Sequence, residues 1–109
     1  METPLFIHSQ VMNFNDKVDY SAEGIVSKRV IQKEKGNVSL FAFDKGQKLS
    51  EHSAPFDAMV QVLEGKAEIV INKVPYEVSA GQAIIMPANI PHAVNAVEKF
   101  KMLLTMIKE

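Results

Sequence analysis

The sequence predicts an all-β domain folded as a sandwich or a closed barrel, and three observations lead to this fold class. From residue 37 onward the apolar residues fall in short runs with the two-residue period of a strand. Breaks that contain Gly, Pro, Asn or Ser separate these runs at a spacing of about 8–12 residues, which is typical of sandwiches and barrels. The length of 109 residues suits one domain and is too short for two.

The alternating runs place each predicted strand. They indicate strands over residues 38–43, 58–63, 67–71, 76–78, 83–86, 92–96 and 100–107, and an earlier strand over 25–32. Residues 11–20 are polar and rich in Asn and Asp, which is typical of a loop. We therefore expect residues 1–36 to form an N-terminal segment with early strands that pack on a barrel of residues 37–109.

The last predicted strand has apolar side chains on both faces. The even-numbered residues from Phe100 to Met106 share one face, and the odd-numbered residues from Lys101 to Ile107 share the other. Because half of the second face is apolar, it needs a cover. Either another segment of the same chain covers it, or a second subunit does, which predicts a symmetric homodimer.

Composition and charge exclude several classes of function. The chain has 12 basic and 13 acidic residues, and they alternate in sign, so we expect no binding to nucleic acid or to an anionic membrane. There is no cysteine, which excludes disulfides and thiolate chemistry. The first residues lack the basic start and the apolar length of a signal peptide, and no apolar run approaches the length of a membrane span. We expect a cytoplasmic protein.

The chain contains three histidines, and two of them are candidates for chemistry. His8 lies in the N-terminal segment without polar companions suited to a site. His52 precedes a predicted central strand, and His92 follows the segment Pro87-Ala88-Asn89-Ile90-Pro91. Imidazole binds metal ions and exchanges protons near neutral pH, so these two residues are the first choice for a site.

The surroundings of these two histidines resemble the two sequence motifs of the cupin superfamily. Residues 46–65 resemble the first motif, in which a glycine, a His-x-His pair, a glutamate and a second glycine follow at fixed spacing. Residues 81–96 resemble the second motif, in which a glycine, Pro-x-Gly, a histidine and an asparagine follow. The resemblance covers about half of the chain. It implies a small single-domain cupin, a double-stranded β-helix or jelly-roll barrel, in which Gly65 and Gly81 occupy tight turns.

The resemblance also implies a metal site, but this sequence lacks two of its usual ligands. Ala54 stands where the second histidine is expected, and Ala58 stands where the glutamate is expected. In the second motif Asn89 replaces the glycine and Ala96 replaces the asparagine, whereas His92 is retained. Cupins with the full set bind iron, manganese, nickel or zinc and act as oxygenases, isomerases or decarboxylases. Here His52 and His92 would hold one such divalent ion.

A third donor is needed because catalytic metal sites generally have three protein ligands. Asp57 is the candidate, since it would complete the two-histidine, one-carboxylate set that suits non-haem iron. Strand alternation argues against it: residues 52 and 58 face one way along an extended chain, and residue 57 faces the other. Pro55 would have to break that register. Glu51 and Gln61 have the same parity problem.

The rest of the site is expected to be an apolar pocket. Its predicted lining is Phe41, Phe43, Phe56, Val60, Met86 and Met102. Such a lining predicts a small, largely apolar ligand. Three hypotheses stay open: a mononuclear metal enzyme, a metal-free module that binds or senses a small molecule, and a metal-independent isomerase or lyase that uses the histidines as acid and base.

Overall fold

Short apolar runs form strands along most of the chain. The structure, a computed structural model, describes residues 5–109, so that residues 1–4 of the predicted N-terminal segment lie outside it. The strands are β1 (Ile25–Lys33), β2 (Gly36–Phe43), β3 (Lys48–His52), β4 (Asp57–Glu64), β5 (Lys66–Ile71), β6 (Val74–Ser79), β7 (Ala83–Met86), β8 (His92–Asn95) and β9 (Phe100–Ile107). A short 3-10 helix, Phe14–Asp16, precedes them. No helix among the described residues has the length and apolar character needed to cross a bilayer.

The strands form two antiparallel sheets. One has the order β1-β2-β9-β4-β7, and the other has the order β3-β8-β5-β6. From β2 to β5, and again from β6 to β9, each successive strand crosses to the opposite sheet. This alternation is the topology of a jelly roll, which confirms the predicted all-β fold class.

All strands predicted from the alternating pattern are present, with ends that differ by two residues or fewer. Strand β3 was not predicted. It lies at the edge of the smaller sheet, and of its five residues only Leu49 is even partly buried. An edge strand with a single apolar residue carries no periodic apolar signal.

The core lies between the two sheets. One cluster joins buried residues of both, among them Val60 of β4, Ile69 of β5 and Met102 of β9. The rings of Phe43 and Phe100 stack within this cluster, next to turns 44–47 and 96–99, with centroids 4.6 Å apart and no exposed surface. This core holds the two sheets together by burial of apolar surface.

The N-terminal segment covers part of the outer face of the five-stranded sheet. Val18 is buried against Leu40 of β2, and Leu103 of β9 packs on the same cluster. Around Leu103 the outer face of β9 is therefore covered by another segment of the same chain and not by a second subunit. At the end of β9 Ile107 is 61% exposed, and Ile85 on β7 is 60% exposed. A homodimer contact there stays a prediction.

A polar network fastens the N-terminal segment to the sheet. Lys101 is only 7% exposed. Its Nζ donates a hydrogen bond of 2.6 Å to the carbonyl oxygen of Asn15 and lies 3.8 Å from Oε1 of Glu64. The hydroxyl of Tyr20 donates to Oε2 of Glu64 over 2.7 Å. Burial, and then the hydrogen bond and charge of Glu64, raise the pKa of Tyr20 above its ordinary value, so that the hydroxyl stays protonated.

Turns 44–47, 64–66, 79–82 and 96–99 lie at one end of the barrel, which we call the glycine end because the first three contain a glycine with positive φ. Gly65 has φ +79° and Gly81 has φ +88°, which confirms the tight turns expected of both. A Cβ atom at residue 65 would overlap the carbonyl oxygen of Lys99 and lie 2.8 Å from Cα of Phe100. A Cβ atom at residue 81 would meet nothing within 4 Å. Gly65 is thus required by both backbone angle and space, and Gly81 by the angle alone.

Candidate functional site

The two candidate histidines meet at the opposite end of the barrel. His52 ends β3, His92 begins β8, and the two residues are cross-strand partners. Their ring centroids are 4.4 Å apart, and the ring planes cross at 67°. We call this the histidine end; its connections are residues 53–56, 72–73 and 87–91. The structure therefore brings together the two residues that the sequence singled out.

A β-bulge turns His52 toward His92. Leu49 pairs with Val94, and His52 pairs with His92. Between these two pairs β3 therefore contains one more residue than β8. Strict alternation would place residues 49 and 52 on opposite faces. The extra residue restores His52 to the face of Leu49, which packs on the core. A parity count along the sequence cannot detect such a bulge.

Each imidazole is held by a backbone carbonyl two residues earlier. Nδ1 of His52 lies 2.7 Å from the oxygen of Ser50, and Nδ1 of His92 lies 3.2 Å from the oxygen of Ile90. A carbonyl oxygen only accepts hydrogen bonds, so Nδ1 must carry the proton in both rings. The Nε2 atom of each neutral ring is then left with a free lone pair for a metal ion or a proton.

The two histidines differ in exposure. His92 is 6% exposed, whereas His52 is on the surface. Burial lowers the pKa of His92 below its ordinary value, and the nearby imidazole of His52 lowers it further, against the opposing effect of the Ile90 carbonyl. His92 is therefore neutral at neutral pH. One ring of the pair is a fixed part of the interior, and the other is open to an incoming molecule.

Asp57, the candidate third donor, is exposed at the start of β4. Its Oδ1 accepts a hydrogen bond of 2.9 Å from the backbone N–H of Ala88. It also lines a surface depression of about 580 Å³ together with Pro55, Ala88 and Ile107, among other residues, but neither histidine. Within residues 5–109 no three His, Cys, Asp or Glu side chains are grouped so that they could hold a metal ion.

The predicted pocket residues fall into two groups. Phe43, Val60, Met86 and Met102 are buried in the packed core, and Phe41 packs against them from β2. Phe56 lies apart from them in the 53–56 connection, where it is half-buried and Nζ of Lys108 is 5.1 Å from its ring centroid. That these residues line a ligand pocket stays a prediction.

Two other polar residues considered from the sequence, Glu51 and His8, form no hydrogen bond with the rings of the histidine pair in the described part of the chain. Glu51 accepts hydrogen bonds of 2.9 and 2.8 Å from Nζ of Lys73. His8 is exposed in a turn of the N-terminal segment. The sequence reasoning overlooked the backbone of the 87–91 connection, in which Asn89 has φ +66°. The sequence did contain a signal for this positive φ angle. Asn adopts positive φ more readily than most residues, and Asn89 stands where the motif has glycine.

Known proteins share this architecture over nearly the whole chain. A conserved protein of unknown function from Streptococcus pyogenes is 40% identical, with a TM-score of 0.92 over 97% of this chain and 93% of that one. A cupin 2 conserved barrel domain protein from Leptotrichia buccalis is 41% identical, with a TM-score of 0.87 over 89% of this chain; the match spans only 47% of that longer protein. A cupin superfamily protein from Desulfitobacterium hafniense, 20% identical, has the same fold, with a TM-score of 0.90 over all of both chains.

Curated proteins give no significant match to the sequence. The family model for the cupin domain matches residues 39–108, which include His52, His92 and the turns at Gly65 and Gly81. This match agrees with the jelly-roll topology and with the paired histidines at one end of the barrel. The chain belongs to the cupin family.

Proposed function

We propose that His52 and His92 together bind one divalent transition-metal ion and that a small molecule or water completes its coordination. One observation carries the proposal: the two rings are in contact, 4.4 Å between centroids, and both Nδ1 atoms face backbone carbonyls. Two Nε2 lone pairs are thus available on adjacent rings. Carbonyl contacts of this kind commonly fix metal-binding histidines in other proteins.

The donors fit a metal ion in kind but fall short in number. Imidazole nitrogen suits iron, nickel and zinc. Stable catalytic sites generally provide three protein ligands, whereas only two are grouped within the described residues. We therefore expect weak binding by the protein alone, and stronger binding when a small molecule with two oxygen or nitrogen donors is also present.

The two histidines have different tasks in this proposal. His92 is buried and forms the fixed side of the site, while His52 is exposed and leaves a path for the ligand. A bound ion would act as a Lewis acid toward an oxygen atom of the ligand. The apolar residues predicted to line the pocket would hold a small, largely apolar or aromatic molecule.

The test is metal analysis of protein purified without chelator or nickel resin, followed by calorimetric titration with Zn²⁺ and Co²⁺. We expect measurable binding that disappears in both His52→Ala and His92→Ala, because a single imidazole holds a divalent ion too weakly. His8→Ala is the matched control and should bind as the unchanged protein does. Failure of the unchanged protein to bind either Zn²⁺ or Co²⁺ would reject the proposal.

A second candidate function is a metal-free binding module. The absence of a third grouped donor within residues 5–109 favours it. In this case small aromatic acids should raise the melting temperature in the presence of EDTA, and the increase should be lost in His92→Ala. Chemical turnover of such a molecule in EDTA would instead indicate acid–base catalysis by the histidine pair.

A further inference from the structure

The connection that leads into His92 is a tight turn stabilised from outside. Pro87 to Ile90 form a turn in which the N–H of Ile90 lies 3.4 Å from the oxygen of Pro87. Asn89, its third residue, has φ +66°. This is the angle that a type II turn requires at that position, and the hydrogen bond within such a turn leaves the amides of Ala88 and Asn89 free to donate elsewhere.

Both of these amides donate to the segment that follows His52, residues 53–57. The N–H of Ala88 donates to Oδ1 of Asp57 over 2.9 Å, and the N–H of Asn89 donates to the carbonyl oxygen of Ala54 over 2.8 Å. One connection ends at His92, and the other starts at His52. The two hydrogen bonds therefore link the two chain segments that carry the imidazoles.

A third hydrogen bond fixes the other side of the turn. The N–H of Asn72 donates to the carbonyl oxygen of Pro91, the residue before His92, over 2.8 Å. Asp57 provides the one side chain among these acceptors; the others are backbone oxygens. Asp57 is thus the member of this set that a substitution can remove.

We propose that Asp57 is a positioning residue, whose carboxylate holds the Ala88 amide and thereby places His92 against His52. The role rests on the proposed function of the histidine pair, but it concerns the geometry of the rings and is measurable without metal. It differs from the ligand role considered for Asp57 from the sequence. A ligand would need the carboxylate charge, whereas a positioning residue needs only an acceptor oxygen at the same place.

The experiment compares Asp57→Ala with Asp57→Asn in the metal-free protein. The amide oxygen of asparagine accepts the same hydrogen bond, so the conservative variant should retain the native geometry. In Asp57→Ala we expect the Ala88 amide to exchange with solvent about tenfold faster. The nuclear Overhauser contacts between the His52 and His92 rings should weaken. Asp44→Ala is the matched control, because Asp44 also accepts backbone N–H groups, those of Glu23 and Lys45, at the glycine end.

Titration with Co²⁺ completes the test. We expect about tenfold weaker binding in Asp57→Ala and nearly unchanged binding in Asp57→Asn, as for other residues that orient metal ligands. Equal loss of binding in both variants, with ring contacts intact, would show that Asp57 is a ligand and overturn the proposal. Unchanged ring contacts and Ala88 exchange in Asp57→Ala would overturn it as well. If the unchanged protein binds no Co²⁺, the metal proposal fails, and the ring contacts still decide the role of Asp57.

Discussion

The two ends of the barrel are built by different means. At the glycine end the turns at Gly65 and Gly81 depend on contacts of the glycine backbone: the carbonyl of Gly65 accepts from Ala80, and the Gly81 amide donates to Val62. The Asp44 side chain also accepts backbone N–H groups at this end. At the histidine end the connections are held by the Asp57 side chain and by single hydrogen bonds between backbones. One end contains stacked, fully buried phenylalanines, and the other carries an exposed imidazole.

This difference predicts that stability and ligand binding depend on opposite ends of the barrel. A turn that depends on glycine and on direct backbone contact tolerates little change. A connection held by a side chain can be altered without disturbing the core, so it suits a site that receives a ligand. We expect substitutions at the glycine end to affect unfolding and substitutions at the histidine end to affect binding.

The largest effect is expected at Gly65. Alanine there must adopt φ +79° and overlap the Lys99 carbonyl, so we expect the free energy of unfolding to fall by about 3 kcal/mol or more. Gly81→Ala has the same backbone problem without the overlap, and its expected loss is about 1–2 kcal/mol. Urea unfolding of both variants measures the difference. Equal losses would mean that space at Gly65 is unimportant.

A smaller effect is expected at Lys101, which fastens the N-terminal segment near the glycine end. Lys101→Met keeps the apolar stem but removes the hydrogen bond to Asn15, with an expected loss of about 1–2 kcal/mol. Lys99→Met is the control, because Lys99 is exposed and only lies over the Tyr20 ring; we expect about 0.5 kcal/mol or less. Proteolysis within residues 5–20 should accelerate only in the first variant. Resistance in both would argue that apolar packing alone holds this segment.

The smallest effect on the free energy of unfolding is expected from the protonation of His92 as the pH falls. Because its pKa is lower in the folded protein than the value of 6.5 expected when unfolded, the unfolded chain binds the proton first as the pH falls. The stability that depends on a neutral His92 is therefore complete above pH 6.5 and is lost as the pH falls below it toward the folded pKa. Unfolding in EDTA from about pH 7.5 to about pH 5 measures this slope.

His92→Asn should reduce that slope, because it removes the titrating ring. His52→Gln should raise the pKa of His92, since the charge of His52 is the second cause of its depression. Nuclear magnetic resonance of the His92 ring measures this change directly. A His92 pKa at or above the ordinary value in the unchanged protein would contradict the prediction.

The fold was predictable because it depends on patterns that the sequence states directly. The alternation in residues 100–107 and the glycines at 65 and 81 correctly indicated strands and turns. The pairing of His52 with His92 was indicated by their places in the two motifs. The bulge between Leu49 and His52 was not, because it depends on the register with β8, which no local pattern records.

The details around the site depend on contacts between distant residues. The bond between Asp57 and Ala88 spans 31 positions, and the bond between Lys101 and Asn15 spans 86. The sequence placed Lys101 on the outer face of its strand and gave no sign that it would be buried. A charged side chain is normally solvated, and only the tertiary structure supplies its partners.

The central position of β9 has a consequence for the synthesis of the protein. Among β1 to β9 this strand is the last to leave the ribosome, yet it is the partner of both β2 and β4. Until it emerges, each of those strands presents an unpaired edge with apolar side chains, a template for association with other chains. Nascent or prematurely terminated chains are therefore the species most exposed to aggregation, and the five-stranded sheet becomes complete only after residues 100–107 are available.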